Sequence, residues 1–193
     1  GWGYREIDRL GGDDPYSASK ACAELVTHSY IKSFFQADAG GPSIATARAG
    51  NVIGGGDWAH NRLIPDIIRS VKDQGQISLR NPNATRPWQF VLEPLHGYLH
   101  LAERLFTGET EAGGGWNFGP ERKDAWPVHK MVTTLLDLMN LPAEWDHDNA
   151  GFFPEKRLLH LDISQAKDHL GWSPKMETKD ALAMTAEWYL DWM

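Results

Sequence analysis

The sequence predicts an α/β protein made of two parts. A long helix over residues 15 to about 36 is followed by a hydrophobic strand over residues 43–53, in which only Arg48 is charged. Strands of that composition are typical of parallel sheets that are covered on both faces. After residue 62 short helices and short strands alternate. We therefore predict a first part, residues 1–62, and a mixed α/β lobe, mainly residues 63–193, from which some segments return to the first sheet.

The first helix has clear signals at both ends. Asp14 is a favourable N-cap, and Pro15 suits the first helical position. The glycines and the proline at residues 40–42 end the pattern. Cys22 lies between two alanines, which predicts a buried small side chain. Several residues suggest burial on more than one side, against a sheet and a second subunit: Cys22, Leu25, Val26, Ser29 and Ile31.

In the second part, the spacing of apolar residues alternates between the period of a helix and that of a strand. Apolar side chains at helical spacing predict helices over residues 63–72, 95–106, 127–139, 164–170 and 178–192. Residues rich in β-formers predict short strands over 77–80, 87–93 and 116–118, and an extended segment over 158–161.

Composition limits the partners. The chain has 193 residues, is 41% hydrophobic and carries a formal net charge of −7, so we expect a globular core. Nucleic acid and anionic membranes are disfavoured as partners, because both bind a positive surface and the sequence has no Lys/Arg run. No apolar run reaches transmembrane length. The single cysteine suits a reducing compartment, and we expect a cytoplasmic protein.

A tyrosine and a lysine stand four residues apart near the start of the first helix. Tyr16 and Lys20 therefore share one helical face. An ammonium group beside a phenol favours the phenolate, which can act as a base. The alternative is an ordinary helix in which Tyr16 packs and Lys20 is solvated. Spacing alone leaves both interpretations open.

The surrounding sequence favours the chemical interpretation. Residues 13–24, DDPYSASKACAE, and residues 48–58, RAGNVIGGGDW, resemble the extended short-chain dehydrogenase/reductase family. The glycine-rich run before Trp58 and the Arg-Pro-Trp-Gln run from Arg86 resemble its CDP-sugar branch. Further matching motifs lie at residues 61–66, 80–82, 85–89, 116–120 and 170–174.

This resemblance implies a fold, a cofactor and a reaction. The fold is a partial NAD-binding Rossmann fold with a substrate-binding lobe, and the cofactor is NAD. The reaction is the 4,6-dehydration of CDP-glucose by a lyase, which gives CDP-4-keto-6-deoxyglucose for deoxysugar biosynthesis. Tyr16 would be the base, and Lys20 would support it and bind the nicotinamide ribose. The family also implies a homodimer.

Several arginines lie at loop or strand ends, where side chains can converge on a cleft. Guanidinium groups bind the oxygens of a diphosphate bidentately, although any one of these arginines taken alone fits a solvated surface residue equally well. The resemblance assigns substrate contacts to Asn51, Asp57, Trp58, Arg62, Arg80, Arg86, Asn117 and Arg157.

A dehydrogenase of this kind seats its cofactor on a Gly-rich turn between a strand and a helix. The glycines at 54–56 follow a strand without opening a clear helix, and those at 113–115 precede a strand. We therefore interpret the chain as the C-terminal portion of a longer protein. Its family places the elimination residues further upstream, and we expect the 193 residues alone to be inactive and not to hold NAD stably.

Two alternatives stay open. One is an NAD-dependent nucleotide-sugar epimerase with the same fold, and the other is a non-catalytic module for CDP-sugar binding or dimerisation. A metal site at Glu93, His96 and His100 is also conceivable from their spacing. No further ligand completes this set, so we expect no metal and a structural role for His96.

Overall fold

A computed structural model gives the structure of the protein. It contains six helices and seven strands among the residues it describes, and its parallel strand pairs confirm the predicted α/β class. None of these described helices is both long and apolar enough to cross a membrane. The described residues are 2–35, 41–109, 112–142, 144–148 and 158–193. The helices are α1 Pro15–Phe34, α2 Leu63–Lys72, α3 Leu92–Phe106, α4 Val128–Leu138, α5 Ser164–Leu170 and α6 Thr178–Trp192. The strands are β1 Ala45–Ala49, β2 Asn51–Ile53, β3 Ser78–Leu79, β4 Thr85–Phe90, β5 Gly114–Phe118, β6 Ala125–Pro127 and β7 Asp146–His147.

The chain forms two compact units, each built from three segments. We predicted a boundary after residue 62, whereas the chain first leaves unit 1 after Ala49. The assignment of either unit to a cofactor or a sugar nucleotide stays a prediction. Unit 1 comprises Gly1–Ala49, Pro94–Phe118 and Leu161–Ser173, and unit 2 comprises Gly50–Glu93, Gly119–His160 and Pro174–Met193.

Unit 1 is organised around one parallel strand pair. Strand β1 pairs with β5 in a register that places Ala45 opposite Gly114 and Ala49 opposite Phe118. Helix α5 packs on β5 and ends at Gly171, as its sequence predicts. Aromatic and aliphatic side chains form the core of this unit: Leu101, Ala112, Trp116, Phe118, Ile163, Ala166, Leu170 and Trp172.

Helix α1 has the predicted start but much less burial than predicted. Its only buried described residue is Ala21, and Cys22 is exposed, so the prediction that Cys22 is buried was wrong. Leu25 and Val26 are more than half exposed. In the part of the chain that the structure describes, α1 packs against other residues only along a narrow stripe through Ala21. The small alanines on either side of Cys22 do not indicate which side of the helix is covered.

The predicted strand over residues 43–53 is interrupted at Gly50. A Cβ atom at this position would lie 2.3 Å from the carbonyl oxygen of Pro87, so no larger residue fits there. The segment therefore forms two strands with different partners. Strand β1 pairs with β5, and β2 pairs in parallel with β4.

Unit 2 combines a small mixed sheet with three helices. Strand β4 pairs in parallel with β2 and antiparallel with β6, while β3 and β7 form a separate parallel pair. Helix α4 packs on α6, and α6 packs on β4. The core consists mainly of aliphatic side chains, with the largest contributions from α2, α4 and α6: Ile64, Ile67, Ile68, Met131, Val132, Leu135, Leu136, Leu182 and Tyr189.

Candidate active site

Tyr16 and Lys20 lie next to each other on the first turns of α1. The Lys20 ammonium nitrogen is 5.7 Å from the centre of the Tyr16 ring. Tyr16 is 71% exposed, so its hydroxyl is open to a ligand. The i,i+4 spacing therefore gives the predicted juxtaposition of a phenol and an ammonium group.

The turn that carries Tyr16 is fixed by its own polar residues. The Asp14 carboxylate accepts a hydrogen bond from the Ser17 backbone N–H at 3.0 Å, and it also accepts one from the Ser17 hydroxyl. These hydrogen bonds hold the pKa of Asp14 below its usual range. The Ser19 hydroxyl donates to the Tyr16 carbonyl at 2.7 Å. Local capping thus defines where α1 begins and where Tyr16 stands.

One partly buried ion pair joins α1 to β1 in unit 1. Arg48 on β1 binds the Glu24 carboxylate with two nitrogens, one of them Nε at 2.5 Å from Oε1. Another Arg48 nitrogen donates to the Glu6 carbonyl at 3.4 Å. Burial raises the pKa of the Glu6 side chain, although Asn117 N–H donates to it at 2.9 Å. Since Glu24 is one turn beyond Lys20, this pair supports the helix that carries the tyrosine and lysine.

The side chain of Asn117 faces the protein backbone. The residue is 1% exposed, and its amide nitrogen donates to the carbonyls of Tyr4 at 3.0 Å and Asp162 at 3.1 Å. Asn117 therefore ties the N-terminal loop and the segment before α5 to β5. Its predicted contact with substrate stays a prediction.

Asp57, Trp58 and Arg62 share one segment of unit 2, residues 54–62, which we call the Trp58 loop. Asp57 Oδ1 accepts a hydrogen bond from Ala59 N–H at 2.9 Å. Asp57 Oδ2 lies 4.0 Å from Arg62 Nε, and the two side chains are 41% and 64% exposed. An ion pair this open to water is weak, which leaves both groups available to a ligand.

Two residues that were not predicted from the sequence, Tyr189 and Arg69, hold this loop through hydrogen bonds to its backbone. The Tyr189 hydroxyl on α6 donates to the Asp57 carbonyl at 2.6 Å, and Arg69 on α2 donates to the carbonyls of Trp58 and Ala59. Burial, together with the nearby Asp57 carboxylate, raises the pKa of Tyr189. The closely spaced Trp188 and Trp192 were the available signal in the sequence.

The remaining predicted substrate residues lie on or beside the sheets of unit 2. Asn51 stands opposite Trp88 in the β2–β4 register, and Arg86 stands opposite Trp126 in the β4–β6 register. An Arg86 nitrogen donates to the Thr85 carbonyl at 3.0 Å. Arg80 follows β3, where its carbonyl lies 3.1 Å from His147 Nε2. Arg157 lies outside the described residues.

The two histidines considered as metal ligands lie on α3. The ring centres of His96 and His100 are 6.3 Å apart, and His100 Nε2 accepts from Arg104 Nε at 3.5 Å. Glu93 instead accepts a hydrogen bond from Lys175 N–H at 2.9 Å. Across the described ranges, no three His, Cys, Asp or Glu side chains gather where they could hold a metal ion.

Comparison with known sequences identifies relatives of this chain. The profile of the NAD dependent epimerase/dehydratase family matches residues 5–119. The chain is 46% identical over 195 residues to the CDP-glucose 4,6-dehydratase of Salmonella typhimurium, with 100% of this chain and 54% of the relative covered. It is 25% identical to the dTDP-glucose 4,6-dehydratase of Xanthomonas campestris, with 97% and 52% covered. The chain thus spans about half the length of the curated relatives it matches.

Solved structures share the fold at lower sequence identity. The dTDP-glucose 4,6-dehydratase from Bacillus anthracis, in complex with NAD, matches with a TM-score of 0.80 at 19% identity. That match covers 99% of this chain and 56% of the other. The UDP-glucose 4-epimerase from Thermotoga maritima also matches with a TM-score of 0.80, at 18% identity, with 97% and 57% covered. Dehydratases and epimerases therefore resemble this backbone equally well.

Proposed function

Because this chain belongs to the NAD dependent epimerase/dehydratase family, we propose that the full-length protein is a lyase that converts CDP-glucose to CDP-4-keto-6-deoxyglucose and water. The observation that carries the proposal is the 46% identity to a CDP-glucose 4,6-dehydratase along the whole chain. The identity to a dTDP-glucose 4,6-dehydratase of similar coverage is only 25%. That difference supports the CDP-sugar over other nucleotide sugars.

The residues of α1 fit the nicotinamide end of NAD. The Lys20 ammonium can donate to two ribose hydroxyls, and its positive charge stands beside an exposed phenol. We propose that Tyr16 and Lys20 hold this part of the cofactor. When bound, NAD supplies the acceptor that takes a hydride from sugar C4 and later returns it to C6.

The proposed chemistry of this chain is a proton transfer at the C4 hydroxyl. The Tyr16 phenolate takes the hydroxyl proton while the hydride leaves C4, so that a ketone forms. The Lys20 ammonium group lies beside this phenol. The exposed position of Tyr16 lets its oxygen reach a bound sugar, and the fixed first turn of α1 limits how far that oxygen moves.

We propose that the nucleotide is held by the residues assigned from the sequence. Arg86 and Arg157 provide guanidinium groups for the diphosphate and its ribose, and the exposed Asp57 and Arg62 side chains of the Trp58 loop lie near the nucleotide. The remaining assignments are also kept as proposals, with Asn117 limited to a contact through its carbonyl oxygen because its amide nitrogen is engaged. The full proposed set is Asn51, Asp57, Trp58, Arg62, Arg80, Arg86, Asn117 and Arg157.

The reaction is tested by incubating the full-length protein and NAD with CDP-glucose, UDP-glucose and dTDP-glucose separately. We expect loss of one water from CDP-glucose, seen by mass spectrometry, with a kcat/KM clearly above that for the other two. Equal kcat/KM for all three would contradict the CDP assignment. A product of unchanged mass would instead identify an epimerase, and binding of CDP-glucose without turnover would identify a binding module.

Replacing Arg86 with alanine tests the diphosphate contact. We expect KM for CDP-glucose to rise at least about tenfold with little change in kcat, because a charged hydrogen bond is lost far from the bond that breaks. Arg122→Ala is the matched control, since Arg122 is exposed on the short helical turn before β6. An unchanged KM in Arg86→Ala would remove Arg86 from the proposed set.

We also propose a cytoplasmic homodimer. Val26 and Phe34 lie on the same side of α1 and are 55% and 66% exposed, so an apolar face of this helix is open to water. A second copy that covers this face would explain it. Light scattering of the full-length protein measures its mass in solution, and a monomer would contradict the proposal.

A further inference from the structure

We propose that Tyr189 and Arg69 are positioning residues that hold the Trp58 loop in the shape required for nucleotide selectivity. The inference rests on the proposed function, because it assumes that Asp57 and Arg62 on that loop contact the CDP moiety. Tyr189 and Arg69 would act through the loop backbone. Neither needs to touch the ligand.

The first support is a hydrogen bond from a buried phenol. Tyr189 is 0% exposed, and its hydroxyl donates to the Asp57 carbonyl at 2.6 Å. A buried hydroxyl needs such a partner, so its removal leaves a carbonyl of the loop without its donor. The contact joins residues that are 132 positions apart in the sequence, which makes α6 a support for the loop.

Arg69 supports the next two carbonyls from a different helix. Its Nη1 donates to the Trp58 carbonyl at 3.0 Å, and its Nη2 donates to the Ala59 carbonyl at 3.2 Å. Asp66, one turn earlier on α2, binds the same guanidinium group and orients it. Three consecutive carbonyls, those of residues 57, 58 and 59, are therefore held by two side chains rather than by a strand or helix of the loop itself.

Aromatic packing adds a third support. The Trp58 ring centre lies 4.4 Å from that of Trp192 and 5.3 Å from that of Tyr189, with the Tyr189 ring edge-on. At Gly55 a Cβ atom would lie 2.1 Å from Cγ of Trp188, so the loop backbone runs directly against α6. Lys72 covers the Trp192 ring at 4.3 Å from its centre. The end of α6 thus fits the loop closely.

This arrangement gives the Trp58 loop a defined geometry before any ligand binds. Asp57 and Arg62 are substantially exposed and held to each other only weakly, at 4.0 Å, so their positions depend on the backbone that carries them. A ligand that meets a loop already in place does not have to order it. Loosening the backbone is therefore expected to weaken binding of the nucleotide and to leave the chemistry at Tyr16 unchanged.

The test compares Tyr189→Phe, Arg69→Met and the control Tyr98→Phe in the full-length protein. Tyr98 belongs to unit 1, is half-buried and loses the same hydroxyl. In the first two variants we expect the amides of residues 57–60 to exchange with deuterium about tenfold faster. We also expect KM for CDP-glucose to rise roughly fivefold to tenfold, kcat to stay within about twofold, and the preference over UDP-glucose to fall.

Three results would overturn the inference. The first is unchanged loop exchange in both variants, and the second is faster exchange with unchanged KM and unchanged nucleotide preference. The third is a matching fall in kcat, since that pattern indicates general damage. Hydrogen exchange needs no substrate, so a wild-type protein that fails to turn over CDP-glucose contradicts the proposed function without deciding whether the two side chains hold the loop.

Discussion

Tyr16→Phe in the full-length protein is expected to lower kcat for CDP-glucose by at least about 100-fold while KM stays within about twofold. The substitution keeps the ring and removes the phenol oxygen that we propose as the acceptor of the C4 proton. Because Tyr16 is 71% exposed, removing its hydroxyl leaves no cavity or unpaired partner in the core. The effect should therefore appear in kcat rather than in stability.

Tyr30→Phe is the matched control for this change. Tyr30 lies on the same helix, is 54% exposed and packs its ring against Phe34 at 5.5 Å. It loses the same hydroxyl at a position that we assign no chemical role. Stopped-assay measurements of kcat and KM on both variants, with thermal unfolding as a check, decide the question. Near-normal kcat in Tyr16→Phe would show that the tyrosine–lysine pair is an ordinary contact within a helix and has no catalytic role.

Phe118→Ala is expected to lower the free energy of unfolding by about 3–5 kcal/mol. Phe118 is 0% exposed at the end of β5, where its ring meets Trp172 edge-on at 5.0 Å and Tyr98 at 5.5 Å. Truncation removes both ring contacts and leaves a cavity that rigid aromatic neighbours fill poorly. Urea denaturation followed by tryptophan fluorescence measures the change.

Phe106→Ala provides the comparison for that loss. The same atoms are removed from a side chain that is 93% exposed at the end of α3, so we expect a change within about 0.5 kcal/mol. If both substitutions lowered stability equally, the ring packing around Phe118 would not be the source of the effect.

Elements with a strong local pattern could be predicted well from the sequence. Helix α2 has the predicted bounds, because Ile64, Ile67 and Ile68 form an apolar stripe that one helix can bury against any core. Strands β6 and β7 were not predicted. They contain three and two residues, and pairing with β4 and β3 rather than their own composition makes them strands. The break at Gly50 likewise depends on the carbonyl of Pro87, which no local pattern reveals.

The same distinction applies to the candidate site. The proximity of Tyr16 and Lys20 follows from helical geometry alone, so the sequence was sufficient. The donor for the Asp57 carbonyl is Tyr189, which lies 132 residues further along the chain on α6. No motif near Tyr189 connects it to the loop. Asn117 shows the opposite case, because its motif suggested a ligand contact while its amide nitrogen binds two backbone carbonyls.

The parallel pairing of β1 with β5 affects the order in which unit 1 folds during synthesis. Strand β1 leaves the ribosome long before β5, its parallel partner, because the whole segment Gly50–Glu93 lies between them in the chain. Closing so long a loop costs conformational entropy before the hydrogen bonds of the strand pair can offset it, and such non-local contacts form slowly. The turn that brings Tyr16 and Lys20 together is local and can form at once. The reactive pair can thus form before β1 pairs with β5, and during that interval the edge of β1 that later binds β5 is open to a chaperone or a neighbouring chain.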